Sequence, residues 1–531
     1  MSSPKEFEGL AAPYILAQMV NEIFMGASPT FMIYSGFCSP AMYLIERFGT
    51  DDLKARFTQK LAEQSWGACL CMTEPNAGTD VGAARTKAIK QDDGTYLIEG
   101  GKIFISSGMH DLTENIVYIV LARVEGAPDG TTGLSCFVVP RFNQLDDGTL
   151  EDNNVRCVRL EEKMGLHGCA TAQLTYGESG PCKAYLLGER ENIGIRQLST
   201  MMHMARISTG IYALGLANRA YMSAVEYANE RIQGVDFRQA FNPKAEKVAI
   251  IKHADVRRML LEMKSKVEGC RALVHKLTYH QSIRSDIEVA QQNNLSLPDN
   301  WKELHKYHES LVNLLTPIVK AYTSDQAWRV SETAIQVFGG HGYICDHPVE
   351  QCARDSKILS IWEGTNFIQS ADLMRDKLAM GRNSKLLALY KSEVEKSITD
   401  IREAGFMAKE VDELEASLNT LIETHALMGQ WVRERKMEFI FGVSTRFLEM
   451  MSEVTLAWLL LDAAAISLHA LKDLEDESDE AFYKGKVASA EFFVRNILPG
   501  VKSKADIIAL EDPSFIEADI DIFSKRSDRY V

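Results

Sequence analysis

The feature that most constrains the fold is a change of pattern along the chain, from helical periodicity to short strands and back. Residues 11–63 are rich in Ala, Met and Leu with charges at helical intervals, which predicts two or three helices. From about residue 65, short β-branched and aromatic runs alternate with Gly and Asp turns, a pattern typical of a compact antiparallel β domain. The predicted strands are 95–105, 115–122, 134–140, 154–160 and 171–176.

Helical periodicity returns after about residue 198. Apolar residues recur at three- and four-residue steps from Ile207 to Ala228 and from Val256 to Leu277, which predicts long bundle helices. We therefore expect a mainly α fold with a central antiparallel β domain. The predicted domains are an N-terminal helical domain at 1–64, a β domain at 65–180, a helical bundle at 181–380 and an extra C-terminal helical domain at 385–515.

Composition restricts the class of protein. The 531 residues include 73 acidic and 58 basic side chains, and the net charge of −15 argues against a broad nucleic-acid-binding face. The 10 cysteines form no legible disulfide framework, which favours a reducing compartment. The first residues lack a secretory signal, and Asn21, Glu22 and Asp462 interrupt the most apolar stretches, so no membrane span is expected. We expect a cytoplasmic protein.

Two segments in the predicted β domain place polar and aromatic groups where a ligand could meet them. In MTEPNAGTD, residues 72–80, Pro75 and Gly78 enforce a turn that presents backbone amides and the hydroxyls of Thr73 and Thr79. An ordinary loop entering a β domain would have the same composition. In GGKIFISSG, residues 100–108, Phe104 and Ser106 could flank a flat heterocycle, although a buried Phe beside a solvated Ser is the commoner arrangement.

Two further segments lie in the predicted helical bundle. QVFGGHGY, residues 336–343, ends a helix in glycines that permit close backbone approach but match no phosphate-loop motif. In IWEGTNF, residues 361–367, Glu363 stands among apolar and small residues. Burial would raise the pKa of this carboxyl toward the range of a general base. A helix-capping Glu near a turn is the simpler alternative, since Gly364 and Thr365 could also begin the next helix.

Together these segments resemble the acyl-CoA dehydrogenase family over about residues 9–510. Segments 163–171, 253–273 and 362–378 are most similar to the larger bacterial branch with an extra C-terminal helical domain, which includes broad-range and 3-methylmercaptopropionyl-CoA dehydrogenases. Members of that branch begin with a further helical segment, so the resemblance implies that the N-terminal helical domain of this chain is truncated.

The resemblance implies FAD as cofactor. Phe104 stands where Trp is commoner and Ser106 where Thr is commoner, and Phe367 departs from the usual Gln or Gly. Arg231, Gln336 and Gly340 match residues that contact FAD across a subunit interface, which implies a homodimer or a dimer of dimers. The implied FAD-binding residues are Met72, Thr73, Gly78, Thr79, Phe104, Ser106, Arg231, Gln336, Gly340 and Thr365.

The resemblance also implies the reaction, which is α,β-dehydrogenation of an acyl-CoA thioester to a trans-2-enoyl-CoA in fatty acid metabolism. Glu363 matches the catalytic base, hydride passes to flavin N5, and electron transfer flavoprotein receives the electrons. Some relatives place the base immediately before the residue matching Arg206, but here that position is Ala205, which cannot accept a proton. Arg206 and Thr79 are implied in binding the acyl-CoA.

Other functions stay open at this point. An oxidase that passes electrons to oxygen, a DNA-associated member of the same fold and a non-catalytic member are the alternatives. His341, Cys345 and His347 lie close together in sequence, but they lack the CxxC partner set of a zinc site, so no metal is expected.

Overall fold

The computed structural model describes residues 9–10, 12–474 and 476–523. The helices are α1 (Tyr14–Ala27), α2 (Pro29–Gly36), α3 (Cys38–Phe48), α4 (Asp51–Ala62), α5 (Gly194–Glu230), α6 (Ala254–Gln292), α7 (Trp301–Phe338), α8 (Pro348–Lys357), α9 (Asn366–Asp372), α10 (Lys385–Glu403), α11 (Ala408–Arg433), α12 (Met437–Ala470), α13 (Glu480–Asn496), α14 (Gly500–Ala509) and α15 (Ser514–Glu517). The strands are β1 (Trp66–Cys71), β2 (Lys87–Lys90), β3 (Tyr96–Ile105), β4 (Asn115–Val124), β5 (Leu134–Pro140), β6 (Phe142–Gln144), β7 (Leu150–Asp152), β8 (Val155–Leu160), β9 (Ala172–Tyr176), β10 (Lys183–Leu186), β11 (Ile232–Val235) and β12 (Lys247–Ala249).

The chain divides into two compact units. The first comprises the described residues up to Ala220 together with His341–Glu363, and the second comprises Tyr221–Gly340 and the described residues from Gly364 onward. The mainly α architecture with a β domain is confirmed. The four-domain division from the sequence stays a prediction, since the two units group the helices differently.

The first unit is built on an eight-stranded sheet with the order β1-β4-β5-β10-β3-β9-β8, and β2 pairs with both β3 and β4. All five predicted strands are present within one residue of the predicted start. The sheet departs from the expected antiparallel arrangement because β1 and β2 each run parallel to β4. Parallel pairing requires a long crossover between the strands, and the segment carrying β2 and β3 supplies it between β1 and β4.

The core of the first unit lies on both faces of this sheet. In β4, the alternate residues Val117, Ile119 and Leu121 pack into a cluster with α3 and α4. Residues of the opposite parity, including Tyr118 and Val120, pack into a second cluster with β8 and β9. A strand buried on both faces reads as a continuous apolar run, which explains NIVYIVLA.

Helix α5 packs closely on α1 because glycine faces glycine. A Cβ at Gly215 would lie 2.7 Å from both the Glu22 carbonyl oxygen and the Gly26 nitrogen. A Cβ at Gly26 would lie 2.8 Å from the Gly215 oxygen. Only paired glycines allow the two backbones to approach this far, and this contact fixes the helix that carries Arg206.

Within its described residues, the second unit is helical apart from the β11–β12 hairpin and the connecting turns. Its long helices agree with the predicted periodicity, since α6 contains the run from Val256 to Leu277. Helix α6 ends and α7 begins around the polar segment QQNNLSLPDN at 291–300, and Ser384, the last residue of the segment GRNS at 381–384, caps α10. Among the described residues, Met437–Asp473 is long and apolar enough to cross a bilayer by length and composition, with 56% of its most apolar window buried. Buried core helices meet the same criterion, so the absence of a membrane span stays a prediction.

Candidate active site

The 72–80 turn leaves the end of β1 and folds back on itself. Glu74 and Ala77 exchange two backbone hydrogen bonds of 3.0 Å, and the Asn76 side chain donates to the Ala83 carbonyl at 2.8 Å. Gly78 and Thr79 are exposed at its tip, and a Cβ at Gly78 would meet no atom within 4 Å. The turn therefore presents an open, rigidly held backbone.

The strand β3, which carries Phe104 and ends at Ile105 just before Ser106, lies beside this turn. The Ile103 N–H donates to the Thr73 carbonyl at 2.9 Å, so the two segments predicted to share a ligand are joined directly. Between Lys102 and Ile105 the pairing with β9 shifts register, and two residues of β3 oppose one of β9. This is a β-bulge, a device that re-aims a side chain.

The bulge turns Phe104 outward. Its φ is +60°, in the left-handed region that L-residues avoid, and 60% of its surface is exposed. The simpler alternative of a buried Phe is therefore wrong at this position. A large exposed ring on a strained backbone is the kind of outlier that clusters at binding sites. Ser106 is half-buried beside it.

A buried ion pair, which sequence reasoning missed, supports both segments. Lys102 Nζ lies 2.7 Å from Glu74 Oε1, with side-chain exposures of 0% and 3%. Burial would raise the pKa of Glu74, but the Lys102 charge, Thr86 and the Arg85 N–H together hold it below its ordinary value. Burial lowers the pKa of Lys102.

Glu363 follows a short 3-10 turn at Ile358–Ser360, on which the Trp362 N–H donates to the Ile358 carbonyl at 3.0 Å. Glu363 has a φ of +55° and Gly364 a φ of +84°, so two successive residues adopt left-handed backbone. The Glu363 side chain is half-buried rather than enclosed. Its neighbour Trp362 packs edge-on against Tyr212 of α5, with ring centroids 6.1 Å apart.

Arg206 lies in the same unit, on α5, and is half-buried. Ala205 precedes it in the helix, where its carbonyl accepts a 2.9 Å hydrogen bond from Thr209. The helix therefore presents no carboxylate at this position, and the expectation of Glu363 as the base is unchanged.

Within the second unit, the residues that follow Glu363 are held by a buried lysine that sequence reasoning missed. Lys320 of α7 has no exposed surface, and its Nζ donates to the Gly364 carbonyl at 2.7 Å and to Asn366 Oδ1 at 3.0 Å. Thr365 is the N-cap of α9, and its hydroxyl accepts from the Ile368 N–H at 3.4 Å. The simpler reading of the Gly-Thr pair as a helix start is thus correct for Thr365.

The remaining predicted cofactor residues share one end of the bundle in the second unit. Tyr227, near the end of α5, stacks on Phe338 at the end of α7, with centroids 4.2 Å apart and planes at 18°. This contact brings Arg231 and Gln336 to the same end, where both are exposed. Gly339 ends α7 with a φ of +61°, and a Cβ on the exposed Gly340 would meet nothing within 4 Å.

No group of three or more His, Cys, Asp or Glu side chains within the described residues could hold a metal ion. In the segment considered above, the rings of His341 and His347 lie 5.6 Å apart and Cys345 is exposed.

Comparison with known proteins gives one family over most of the chain. Three family models match, described as "Acyl-CoA dehydrogenase, middle domain" at residues 69–178, "Acyl-CoA dehydrogenase, C-terminal domain" at 192–378 and "Acetyl-CoA dehydrogenase C-terminal like" at 390–519. The last match corresponds to the extra C-terminal helical domain predicted from the sequence.

Among similar curated proteins, a butyryl-CoA dehydrogenase of Syntrophomonas wolfei is 34% identical over 512 residues, covering 95% of this chain and 81% of that protein. A broad-specificity linear acyl-CoA dehydrogenase of Mycobacterium tuberculosis is 34% identical over 523 residues, covering 96% and 83%. A Bacillus anthracis acyl-CoA dehydrogenase solved with FAD shares the fold, with a TM-score of 0.72, 20% identity and coverage of 96% and 80%. The chain therefore belongs to the acyl-CoA dehydrogenase family of oxidoreductases, whose cofactor is FAD.

Proposed function

We propose that this protein is an FAD-dependent dehydrogenase that converts a linear acyl-CoA thioester to the trans-2-enoyl-CoA, with Glu363 as the base. The observation that carries the proposal is a half-buried carboxylate on a left-handed backbone, with φ values of +55° at Glu363 and +84° at Gly364. Strain of this kind costs free energy and persists where the surrounding structure imposes it. The butyryl-CoA and linear acyl-CoA dehydrogenases described above support the substrate class.

The residues present fit FAD. The exposed Phe104 ring offers a face to a planar heterocycle, and the half-buried Ser106 beside it offers a hydroxyl. Gly78 and Gly340 leave open backbone at which phosphate groups could approach, and Arg231 supplies an exposed positive charge. When bound, FAD supplies the acceptor for the hydride that leaves the β-carbon of the substrate.

The chain's own task is to remove and hold a proton. The Glu363 carboxylate takes the proton from the carbon next to the thioester carbonyl, and a positioned general base contributes about 10²- to 10⁴-fold to the rate. Lys320 holds the Gly364 carbonyl and Asn366, so the backbone that follows the base cannot relax. Arg206 orients the CoA-thioester end of the substrate.

Three features complete the proposal. Electron transfer flavoprotein is the electron acceptor, the active form is a homodimer or a dimer of dimers, and the protein works in the cytoplasm. The match of Arg231, Gln336 and Gly340 to family positions that contact FAD across a subunit interface supports the oligomer, and all three residues are exposed in the single chain.

The test is a spectroscopic titration of the purified protein. We expect a flavin absorbance that butyryl-CoA bleaches under anaerobic conditions, and we expect Glu363→Gln to keep the flavin but to slow bleaching by at least about 10²-fold. Glu332→Gln, at an exposed position on α7, is the matched control and should bleach like the wild type. Undiminished bleaching in the Glu363 variant would contradict the assignment of the base.

Two further measurements separate the alternatives. Hydrogen peroxide formed in step with the enoyl product in air would indicate an oxidase. Salt-sensitive binding of duplex DNA in a mobility-shift assay, together with no bleaching by any acyl-CoA, would indicate a DNA-associated member of the fold.

A further inference from the structure

We propose that the buried Glu74–Lys102 pair is a positioning device for the cofactor, which holds the 72–80 turn and the Phe104 bulge in the geometry that FAD requires. This inference rests on the proposed function. It assigns a role to two buried side chains, with exposures of 0% for Lys102 and 3% for Glu74, that the proposed reaction does not use.

Lys102 is the last residue of β3 in regular register with β9 before the bulge, opposite Leu174. Its side chain runs to the 72–80 turn, where Nζ donates to the Met72 carbonyl at 3.0 Å and to Glu74 Oε1 at 2.7 Å. A single ammonium group thus bonds both to the backbone at the start of the turn and to a side chain inside it. The backbone bond from Ile103 to Thr73 lies directly beside this contact.

Glu74 extends the connection to a third segment. Its carboxylate accepts from the Arg85 N–H at 2.6 Å, from the Thr86 N–H at 3.1 Å and from the Thr86 hydroxyl at 2.7 Å. Arg85 and Thr86 directly precede β2, which pairs with β3. The carboxylate therefore joins the turn, the bulged strand and the start of β2.

The position of the pair argues for orientation rather than stability alone. Desolvating two charges opposes folding, and an apolar pair of similar size often stabilises a protein equally well or better. What an apolar pair lacks is direction, because only hydrogen-bonded charges specify where the Met72 carbonyl and the Thr86 hydroxyl must lie. The first of these groups begins the turn that is bonded to Ile103, the residue before Phe104, and the second lies just before β2, which pairs with β3.

The role predicts a specific phenotype. Without the pair, the 72–80 turn can shift against β3, and Phe104 loses the support that keeps it in the left-handed backbone. We expect FAD affinity to fall and the environment of the flavin to change, even where the protein stays folded.

The experiment compares Lys102→Met, Glu74→Gln and the double variant Glu74→Gln/Lys102→Met with the wild type. Each single variant leaves a group without its partner and is expected to melt at a lower temperature, whereas the double variant leaves no buried charge and restores folding. The control is Lys183→Met, which removes an exposed ion pair with Asp93 from the same sheet, 3.1 Å long in the structure.

The measurements are the melting temperature of the apoprotein, the Kd for added FAD and the visible circular dichroism of the bound flavin. We expect the double variant to melt within a few degrees of the wild type, yet to bind FAD at least about tenfold more weakly, a change of about 1.4 kcal/mol. Its flavin spectrum should be shifted, and the control should match the wild type in all three measurements.

Two outcomes would overturn the inference. A folded double variant with the wild-type Kd and flavin spectrum would show that the pair does not position the cofactor, and the proposed function would stand. A wild-type protein that takes up no flavin would overturn the proposed function and this inference with it.

Discussion

The strained backbone at Phe104 allows a prediction in which a substitution raises the free energy of unfolding relative to a second substitution, while both weaken FAD binding. At a φ of +60°, left-handed backbone costs a residue with a Cβ roughly 1–2 kcal/mol of conformational free energy, whereas glycine adopts it without this steric cost. Glycine loses about 0.5–1 kcal/mol more backbone entropy on folding than alanine. Phe104→Gly and Phe104→Ala both remove the ring, so their difference isolates the backbone contribution. From the midpoints of the two ranges, glycine should be the more stable variant by roughly 0.7 kcal/mol.

The assay is equilibrium urea unfolding of the two apoproteins, followed by circular dichroism. The neighbouring Ile103 lies in the same bulge without a positive φ, so the order should reverse there, with Ile103→Ala more stable than Ile103→Gly by about 0.5–1 kcal/mol. Both Phe104 variants should bind FAD at least about 3- to 10-fold more weakly, because the aromatic contact is lost. An alanine variant at position 104 as stable as the glycine variant would refute the strain.

Two further predictions concern stability. Gly215→Ala places a methyl group 2.7 Å from the Glu22 carbonyl oxygen, and overpacking of about 1–3 kcal/mol should lower the melting temperature by about 2–12 °C. Gly36→Ala, whose Cβ would lie 3.6 Å from its nearest neighbour, is the control, and an equal loss in both variants would contradict the close-packing argument. In the second unit, burial raises the pKa of Glu453 from 4.5 to about 7, despite Lys504 at 2.7 Å. The folded state therefore holds this proton more tightly than the unfolded state, so stability is greatest below about pH 4.5 for this group and falls as the pH rises to about 7. Calorimetry across that range should show this loss in the wild type and not in Glu453→Gln, and identical pH profiles would contradict it.

Much of the fold could be predicted because periodicity and turn residues act locally. The alternation in β3 and β9, the polar break between α6 and α7 and the Ser cap of α10 all lie within a few residues of the signals that produce them. The parallel pairing of β1 with β4 could not be predicted, since the apolar run of β4 is compatible with either direction.

In the candidate site, too, the local features could be predicted from the sequence and the long-range contacts could not. Turn residues and glycines identified the 72–80 turn and the segment around Glu363, and family resemblance supplied their roles. The supporting charges were missed because Lys102 and Lys320 look like surface lysines in the sequence, and only the tertiary structure shows both fully buried. Long-range partners such as Glu74, 28 residues from Lys102, leave no periodic signal.

The bulge in β3 makes the length of this strand a functional property in its own right. Deleting either Ile103 or Phe104 would let β3 and β9 pair without interruption from Gly100 to the end of the ladder. A shorter strand of that kind would form a more regular sheet in which Ile105 still faces Ala172, yet the residue between Lys102 and Ile105 would return to the ordinary alternation of the strand and the outward-turned aromatic ring would be lost. The extra residue therefore makes the sheet less regular and gives the protein a projecting ring, and relatives that differ in the identity of that ring should still retain the added residue.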